Sequence, residues 1–305
     1  MRPAFFKRPY RKLVPLALAA GLLSTGCGQQ YVLLHPVGPV GQQELHLMEL
    51  AAIAMGIVIL VVFTLYFYAI IRFRDKPGNT APYRPDWHGS KWLEILWWVL
   101  PAVLLTVIAI PTVKTTYALD HVPKGKDPIV IDVTSLTWKW LFEYPGQHVA
   151  AVNQLVIPTG KPVLFELTAD SPMNTFWIPA LGGMEYTMPN RVLPLWLQAN
   201  KPGTYIGLSG QYSGTGFAKM FFHVKAVSPA AFNAWVAKTR KTASPMTMAV
   251  YDQLLKHNTT GQALYSSYPK DTFPTVANGF TLTGSGMYMV MRDKNDITYM
   301  PMQNP

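Results

Sequence analysis

The chain has 305 residues and a formal charge of +10; half of it is apolar and only 14% is charged. Globular chains carry about 25% charged residues, so this balance excludes a disordered chain and points to a membrane protein. One Cys excludes an intrachain disulfide framework, and any zinc or iron–sulfur site built from several thiolates of this chain.

Five of the positive charges (Arg2, Lys7, Arg8, Arg11, Lys12) lie in the first 26 residues, which hold no acid. Without them, 21 of the 26 basic residues face 16 acidic ones. The basic balance is therefore largely a targeting signal, and no nucleic-acid partner is needed to explain it. Leu13 to Leu23 follow as an apolar core too short to span a bilayer, then Leu23-Ser24-Thr25-Gly26-Cys27. Small residues before a Cys resemble a bacterial lipoprotein signal, with Ser24 where the usual Leu would stand. That reading makes residues 1–26 a signal peptide, Cys27 the lipidated N-terminus and 27–44 an exterior linker. An ordinary secretory signal with a free Cys is the alternative.

A transmembrane hairpin is expected over 45–114. Leu50 to Ile71 gives 22 uncharged residues and Ile95 to Val113 gives 19. At about 1.5 Å per residue, each crosses a hydrocarbon core of roughly 30 Å. The loop over 72–92 carries Arg72, Arg74, Lys76, Arg84 and Lys91 against Asp75 and Asp86. The positive-inside rule makes it cytoplasmic, which puts both ends of the chain outside. Trp92, Trp97 and Trp98 suit an interfacial belt, and Pro101 falls inside the second span. Glu94, at the cytoplasmic mouth of that span, is either an interfacial anchor beside Lys91 or part of an ion route.

An exterior β domain is expected over 128–227. Ile129, Ile131 and Val133 alternate with polar residues. Trp138 to Tyr144 reads as an aromatic strand closed by Pro145-Gly146; Leu155–Pro158, Pro162–Leu167, Leu193–Leu197 and Gly216–Val227 read as further strands. Lys201-Pro202-Gly203-Thr204 suits a type II turn. Short strands at even spacing imply a sandwich of about 100 residues. A helical extension over 228–280 holds one helix at Ala230–Lys241 and a second capped by Ser244-Pro245. The tail over 281–305 has little periodicity and carries Met287, Met289, Met291, Met300 and Met302. It is read as packing or disorder in preference to a Cu(I) site. No hydrolase constellation or phosphate loop is visible, and the seven His lack metal spacing.

In this order, the lipoprotein signal, hairpin and exterior sandwich resemble subunit II of the haem–copper oxidases. Leu93-Glu94-Ile95-Leu96-Trp97 with Pro101, Trp138-Lys139-Trp140-Leu141-Phe142-Glu143-Tyr144, Phe176-Trp177-Ile178-Pro179-Ala180-Leu181-Gly182 and Lys201-Pro202-Gly203-Thr204-Tyr205 carry the resemblance. It implies a membrane-anchored α+β chain: a two-helix transmembrane hairpin, an all-β cupredoxin-like sandwich and a short C-terminal helical extension.

In the cytochrome c oxidase branch this domain holds a binuclear copper centre. Here the resemblance aligns its ligand positions with Asn174, Ser209, Gln211, Ser213, Phe217 and Met220, of which Met220 alone keeps a ligand. Hydroxyls, an amide and a phenyl ring do not replace bridging thiolates and imidazoles, so Met220 reads as core. The loss resembles the bo-type ubiquinol oxidase branch. It implies a copper-free subunit without catalytic residues of its own, which braces and caps a polytopic subunit I. That subunit would hold the haems and copper, with further small membrane subunits beside it and ubiquinol as the substrate of the complex. The resemblance places Glu94 at the mouth of a proton route, and leaves Trp138 and Trp140 to pack or to sit at a subunit interface. It implies the bacterial inner membrane, with the N-terminus and large domain in the periplasm. Two rivals stand: a cytochrome c oxidase subunit with an unusual metal site, and a non-enzymatic membrane-anchored periplasmic lipoprotein, structural or copper-handling.

Overall fold

The computed structural model describes residues 31–301 except 83–85, 87, 124, 126, 171, 172, 190, 271, 274–279, 284, 285, 294 and 295. Helix α1 (Pro39–Arg72) starts at a proline whose missing N–H costs nothing in a first turn. Helix α2 (Lys91–Leu119) runs unbroken through Pro101 and Pro111. Hydroxyls of Thr106, Thr112 and Thr116 bond back to the carbonyls of Ala102, Ile108 and Thr112 at 2.8–2.9 Å. Both helices are long and apolar enough to cross a membrane, and their side chains are almost wholly exposed in the isolated chain. In water that exposure would be prohibitive; lipid and partner helices remove the penalty.

The sandwich follows. Its strands are β1 (Ile129–Leu136), β2 (Lys139–Tyr144), β3 (Val149–Val152), β4 (Gln154–Pro158), β5 (Val163–Ala169), β6 (Asn174–Ile178), β7 (Gly182–Thr187), β8 (Leu193–Leu197), β9 (Gly203–Ser209) and β10 (Phe221–Val227). Then come α3 (Pro229–Thr242), α4 (Met248–Leu255) and β11 (Ala263–Tyr265). One sheet has the order β11-β3-β2-β1-β5-β8 and the other β4-β10-β9-β6-β7; the pairs β1–β5 and β10–β4 are parallel. Alternation along each strand turns Ile131, Val133, Trp140, Phe142 and Phe165 inward to meet Phe176 and Phe222. Their ring centroids lie 5.1–6.4 Å apart, mostly edge-on or tilted, the favourable aromatic geometries. The outer face of the first sheet carries Leu136, Leu141, Ala150 and Val152 under Met246, Tyr251 and Leu254.

Several expectations need correction. Strands β3, β6, β7, β9 and β11 lie in segments the hydropathy pattern did not single out. Residues 216–227 do not form one strand: a 3-10 turn at Phe217–Lys219 precedes β10. Gly203 is the first residue of β9, without the positive φ of a type II turn. A Cβ there would lie 2.9 Å from the Tyr205 hydroxyl, which donates to the Lys201 carbonyl at 2.9 Å, so a side chain would displace the Tyr205 ring. The cap of α4 is Thr247, whose hydroxyl accepts from Val250 N, and not Ser244-Pro245. Residues 244–246 pair instead with 266–267, through Ser266 N to Ser244 O and Met246 N to Ser267 O. The extension is therefore not all helical, and β11 adds an edge strand to β3. The Met-rich tail forms β12 (Phe280–Thr283), β13 (Gly286–Asp293) and β14 (Asp296–Pro301), an antiparallel sheet of its own. Its order comes from backbone pairing, which a segment interrupted by Thr, Arg and Asp does not announce.

Candidate functional site

The loop joining β9 to β10 closes one end of the sandwich, and the six positions of interest gather around it. Asn174, wholly buried in β6, donates from Nδ2 to Ser135 Oγ at 2.7 Å. Ser209, at the end of β9, donates from Oγ to Asn174 Oδ1 at 3.2 Å. Its hydroxyl also lies 3.3 Å from the Gln211 carbonyl and accepts from Gln211 N at 3.4 Å. Ser209 N reaches the Met220 carbonyl at 3.4 Å, and Ser213 Oγ lies 4.0 Å from Met220 Sδ. Met220 is buried in the core. Gln211 turns its side chain to solvent, and Phe217 is half-buried with its ring 5.6 Å from that of Tyr212. The fold thus joins Asn174, Ser209, Ser213 and Met220 but leaves the Gln211 amide and the Phe217 ring on the loop surface.

These donors do not fit a pair of copper ions. Copper needs soft thiolates and basic imidazoles, and here neutral hydroxyls and an amide spend their hydrogen bonds on one another. Ser135 closes this network and was missed from sequence, because a Ser inside a strand carries no pattern of its own.

The two tryptophans part company. Trp138 stands in the β1–β2 turn at φ 60° and donates from Nε1 to the Ser213 carbonyl at 3.0 Å. The loop wraps its indole so closely that a Cβ on Gly216 would come within 2.2 Å of Trp138 Cδ2. Trp138 is half-buried and keeps an exposed edge. Trp140 has no exposed surface and packs on Phe176 and Phe222 at 5.5 and 5.6 Å. It is core, the packing alternative of the two, because strand alternation sends it inward while Lys139 and Leu141 point out.

Glu94 lies in the first turn of α2, exposed, with its amide bonded to the Ser90 carbonyl at 3.0 Å. Among the described residues no ion pair joins it to Lys91. A carboxylate in the first turn suits the positive end of the helix dipole. Cys27 lies outside the described residues.

Two clamps hold the hairpin to the sandwich, neither expected from sequence. Glu44 Oε1 in α1 accepts from Gly183 N at 2.9 Å, beside backbone bonds from Val37 N to Ala180 O and Gly41 N to Leu181 O. Gly182, at φ 93°, has room for no side chain, since a Cβ would lie 2.6 Å from Gly41 Cα. Across from this, Trp196 Nε1 donates to the Leu119 carbonyl at the end of α2, at 2.7 Å. The paired glycines at 182 and 183, directly after the Phe176–Leu181 motif, were the available signal.

Two apolar helices clamped to a cupredoxin-like sandwich make a membrane-anchored protein with one globular domain beside the hairpin. The sequence matches the cytochrome c oxidase subunit II transmembrane domain over residues 38–115 and the periplasmic domain of the same subunit over residues 139–227. The chain belongs to the cytochrome c oxidase subunit II family. It is similar to quinol oxidase subunit 2 of Bacillus cereus (strain ATCC 14579), 41% identical over 88% of this chain and 92% of that one. Ubiquinol oxidase subunit 2 of Acetobacter aceti is 34% identical over 94% and 95% of the two chains. Cytochrome bo(3) ubiquinol oxidase subunit 2 of Pseudomonas aeruginosa is 38% identical over 81% and 75%.

Proposed function

We propose that this chain is subunit II of a bacterial respiratory quinol oxidase, a complex that oxidises quinol, reduces oxygen and translocates protons. It binds and caps a polytopic subunit I, which carries the haems and copper, and it holds no redox centre itself. The observation that carries this reading is the Ser135–Asn174–Ser209 network: the place of a copper relay is filled by side chains satisfied among themselves. Quinol dissolves in the bilayer and can reach subunit I without an exterior protein donor, so a relay is unnecessary. The relatives named as quinol oxidase subunits support the same substrate.

On this reading residues 1–26 are removed, Cys27 is lipidated, the loop over 72–92 faces the cytoplasm and the sandwich faces the periplasm. Glu94 stands where protons enter. The domain limits are those given by the sequence: a hairpin over 45–114, a sandwich over 128–227, an extension over 228–280 and a tail over 281–305.

A tagged chain purified in mild detergent tests the proposal. It should bring down a haem-bearing polytopic partner that consumes oxygen with ubiquinol and not with reduced cytochrome c. Purification without haem would favour a free-standing lipoprotein. Oxidation of cytochrome c, with copper in this subunit, would favour the cytochrome c branch.

A further inference from the structure

The outer face of the six-stranded sheet, whose edge strand is β11, is covered by α4 and by residues 266–270, 272 and 273, and two ionisable side chains of β2 alternate onto that face on either side of Leu141. Lys139 spends its three ammonium protons on the Leu254 carbonyl, the Lys256 carbonyl and Asn258 Oδ1, each at 2.8 Å. Glu143, wholly buried, lies under Thr272. Thr272 Oγ1 is 2.5 Å from Glu143 Oε1 and 2.8 Å from the Pro269 carbonyl. A hydroxyl has one proton, so an ionised Glu143 and the Pro269 carbonyl compete for it. A protonated Glu143 ends the competition: its proton goes to Thr272 Oγ1, and Thr272 donates to Pro269. Glu143 Oε2 has no hydrogen-bond partner among the described residues and is shut away from bulk solvent, so a charge there is disfavoured. The Thr272 carbonyl accepts from the Tyr251 hydroxyl at 3.1 Å, which ties this contact to α4.

We propose that Glu143 and Thr272 form a proton-operated latch, closed while Glu143 is neutral, whose ionisation loosens residues 244–270 and Thr272 from the sheet and uncovers Leu136, Leu141, Ala150 and Val152. Around Glu143, β1 presents Asp132 in register and β3 presents Ala150. Helix α4 contributes Tyr251, whose hydroxyl is pushed up to about 12 by burial and then by Asp170, Glu143 and Asp252. Glu166 stands in register with Asp132 one strand further on. Of the cations near this face, Lys139 is committed to the end of α4, and Lys270, two residues before Thr272 on the covering segment, is exposed. His223 bonds Gln262 of the extension at 2.8 Å from the other sheet.

The sign follows from Glu143. Burial pushes its carboxyl up to about 7, against a smaller downward pull from the Thr272 hydroxyl. A raised value in the docked state means docking is strongest below the ordinary carboxylate range and weakens as pH rises through about 7. With an ordinary value in the released state, the opening equilibrium rises about tenfold between pH 6 and pH 8. On the functional reading above this face lies where protons are delivered, so an acidified exterior keeps the latch closed. The latch itself does not depend on that reading, because it operates without turnover.

Hydrogen exchange on the intact purified complex at about pH 6 and 8, corrected for intrinsic rates, tests it. Peptides holding the β11 amides, which pair with β3 of the sheet, should open about tenfold more readily at the higher pH, while peptides from β5 should not. Glu143→Gln, or Glu143→Leu should the first not assemble, should stay closed at both pH values. Equal opening of the wild type at both pH values overturns the proposal. So does a neutral variant that keeps the whole tenfold change.

Discussion

Ser209 Oγ donates to Asn174 Oδ1 at 3.2 Å, so the residues at two aligned copper-ligand positions bond directly to each other. Met220 and Ser213 sit beside them on the same loop. The side-chain directions of Asn174, Ser209, Ser213 and Met220, though not of Gln211 and Phe217, are thus compatible with a metal pocket.

This relationship supports a gain-of-function test. Asn174→His, Ser209→Cys, Gln211→Glu, Ser213→Cys and Phe217→His together, with native Met220, should bind two copper ions beyond those of the unaltered complex. Phe217 is half-buried, so its loss costs less than the 3–5 kcal/mol typical of a core ring, at about 1 kcal/mol for the pair with Tyr212. Metal analysis and the intense visible absorption of a thiolate-bridged copper pair give the readout. An assembled variant without the extra copper would show that the alignment of this loop is wrong.

What the sequence made legible was whatever repeats or has a local cause. Both helices follow from uncharged length, and β1, β2, β4, β5 and β8 follow from apolar runs. Strands β6 and β9 did not, because Asn174, Thr175, Gly203 and Gly207 break the hydropathy signal while the backbone still pairs. At Gly207 a Cβ would meet the Phe222 ring at 2.0 Å, a reason for glycine that exists only in the folded sheet. The ligand positions were legible through the resemblance, but their hydrogen bonds were not, since Ser135, Asn174 and Ser209 come from three distant segments. Lys139 was read as part of an aromatic motif, and its role as a clamp depends on a helix end 115 residues away.

Lys139 gives the second prediction. Its ammonium caps the carbonyl end of α4, where a cation also suits the helix dipole. Lys139→Met keeps the buried stem and removes the three donors. Docking of residues 244–262 should weaken by on the order of 3 kcal/mol, since hydrogen bonds to a charged group contribute about 1.5–3 kcal/mol each and water recovers part of the loss. Limited proteolysis should then cut within that segment while the sandwich survives. Lys139→Arg should not rescue it, because a planar fork does not match three converging acceptors. A cleavage pattern like that of the wild type would show that the clamp contributes nothing.

Cys27 carries the third. Its position after small residues and an apolar core predicts cleavage before it and acylation of its thiol. Mass spectrometry of the N-terminal peptide should find an acylated Cys27. An intact Met1 or an unmodified thiol rules this out. Cys27→Ala should still assemble, because two full spans hold the chain far more firmly than acyl chains at about 0.8 kcal/mol per methylene.

Glu94 separates a working residue from an anchor. It is exposed in the first turn of α2, at the end the positive-inside rule assigns to the cytoplasm. An interfacial anchor needs only polarity, so Glu94→Gln should then turn over as the wild type does. A proton-entry group needs a titratable carboxyl that a cytoplasmic proton can reach. Glu94→Ala and Glu94→Gln should in that case slow oxygen consumption to a similar degree with haem content intact, and Glu94→Asp should be milder. The absence of an ion pair with Lys91 sharpens the contrast, because Lys91→Ala should then leave turnover unchanged. Measuring turnover against the pH on the cytoplasmic side completes the test. A slowed Glu94→Ala enzyme whose rate recovers as the cytoplasmic side is acidified is limited by proton delivery. One that turns over at the wild-type rate at every pH has lost only an anchor.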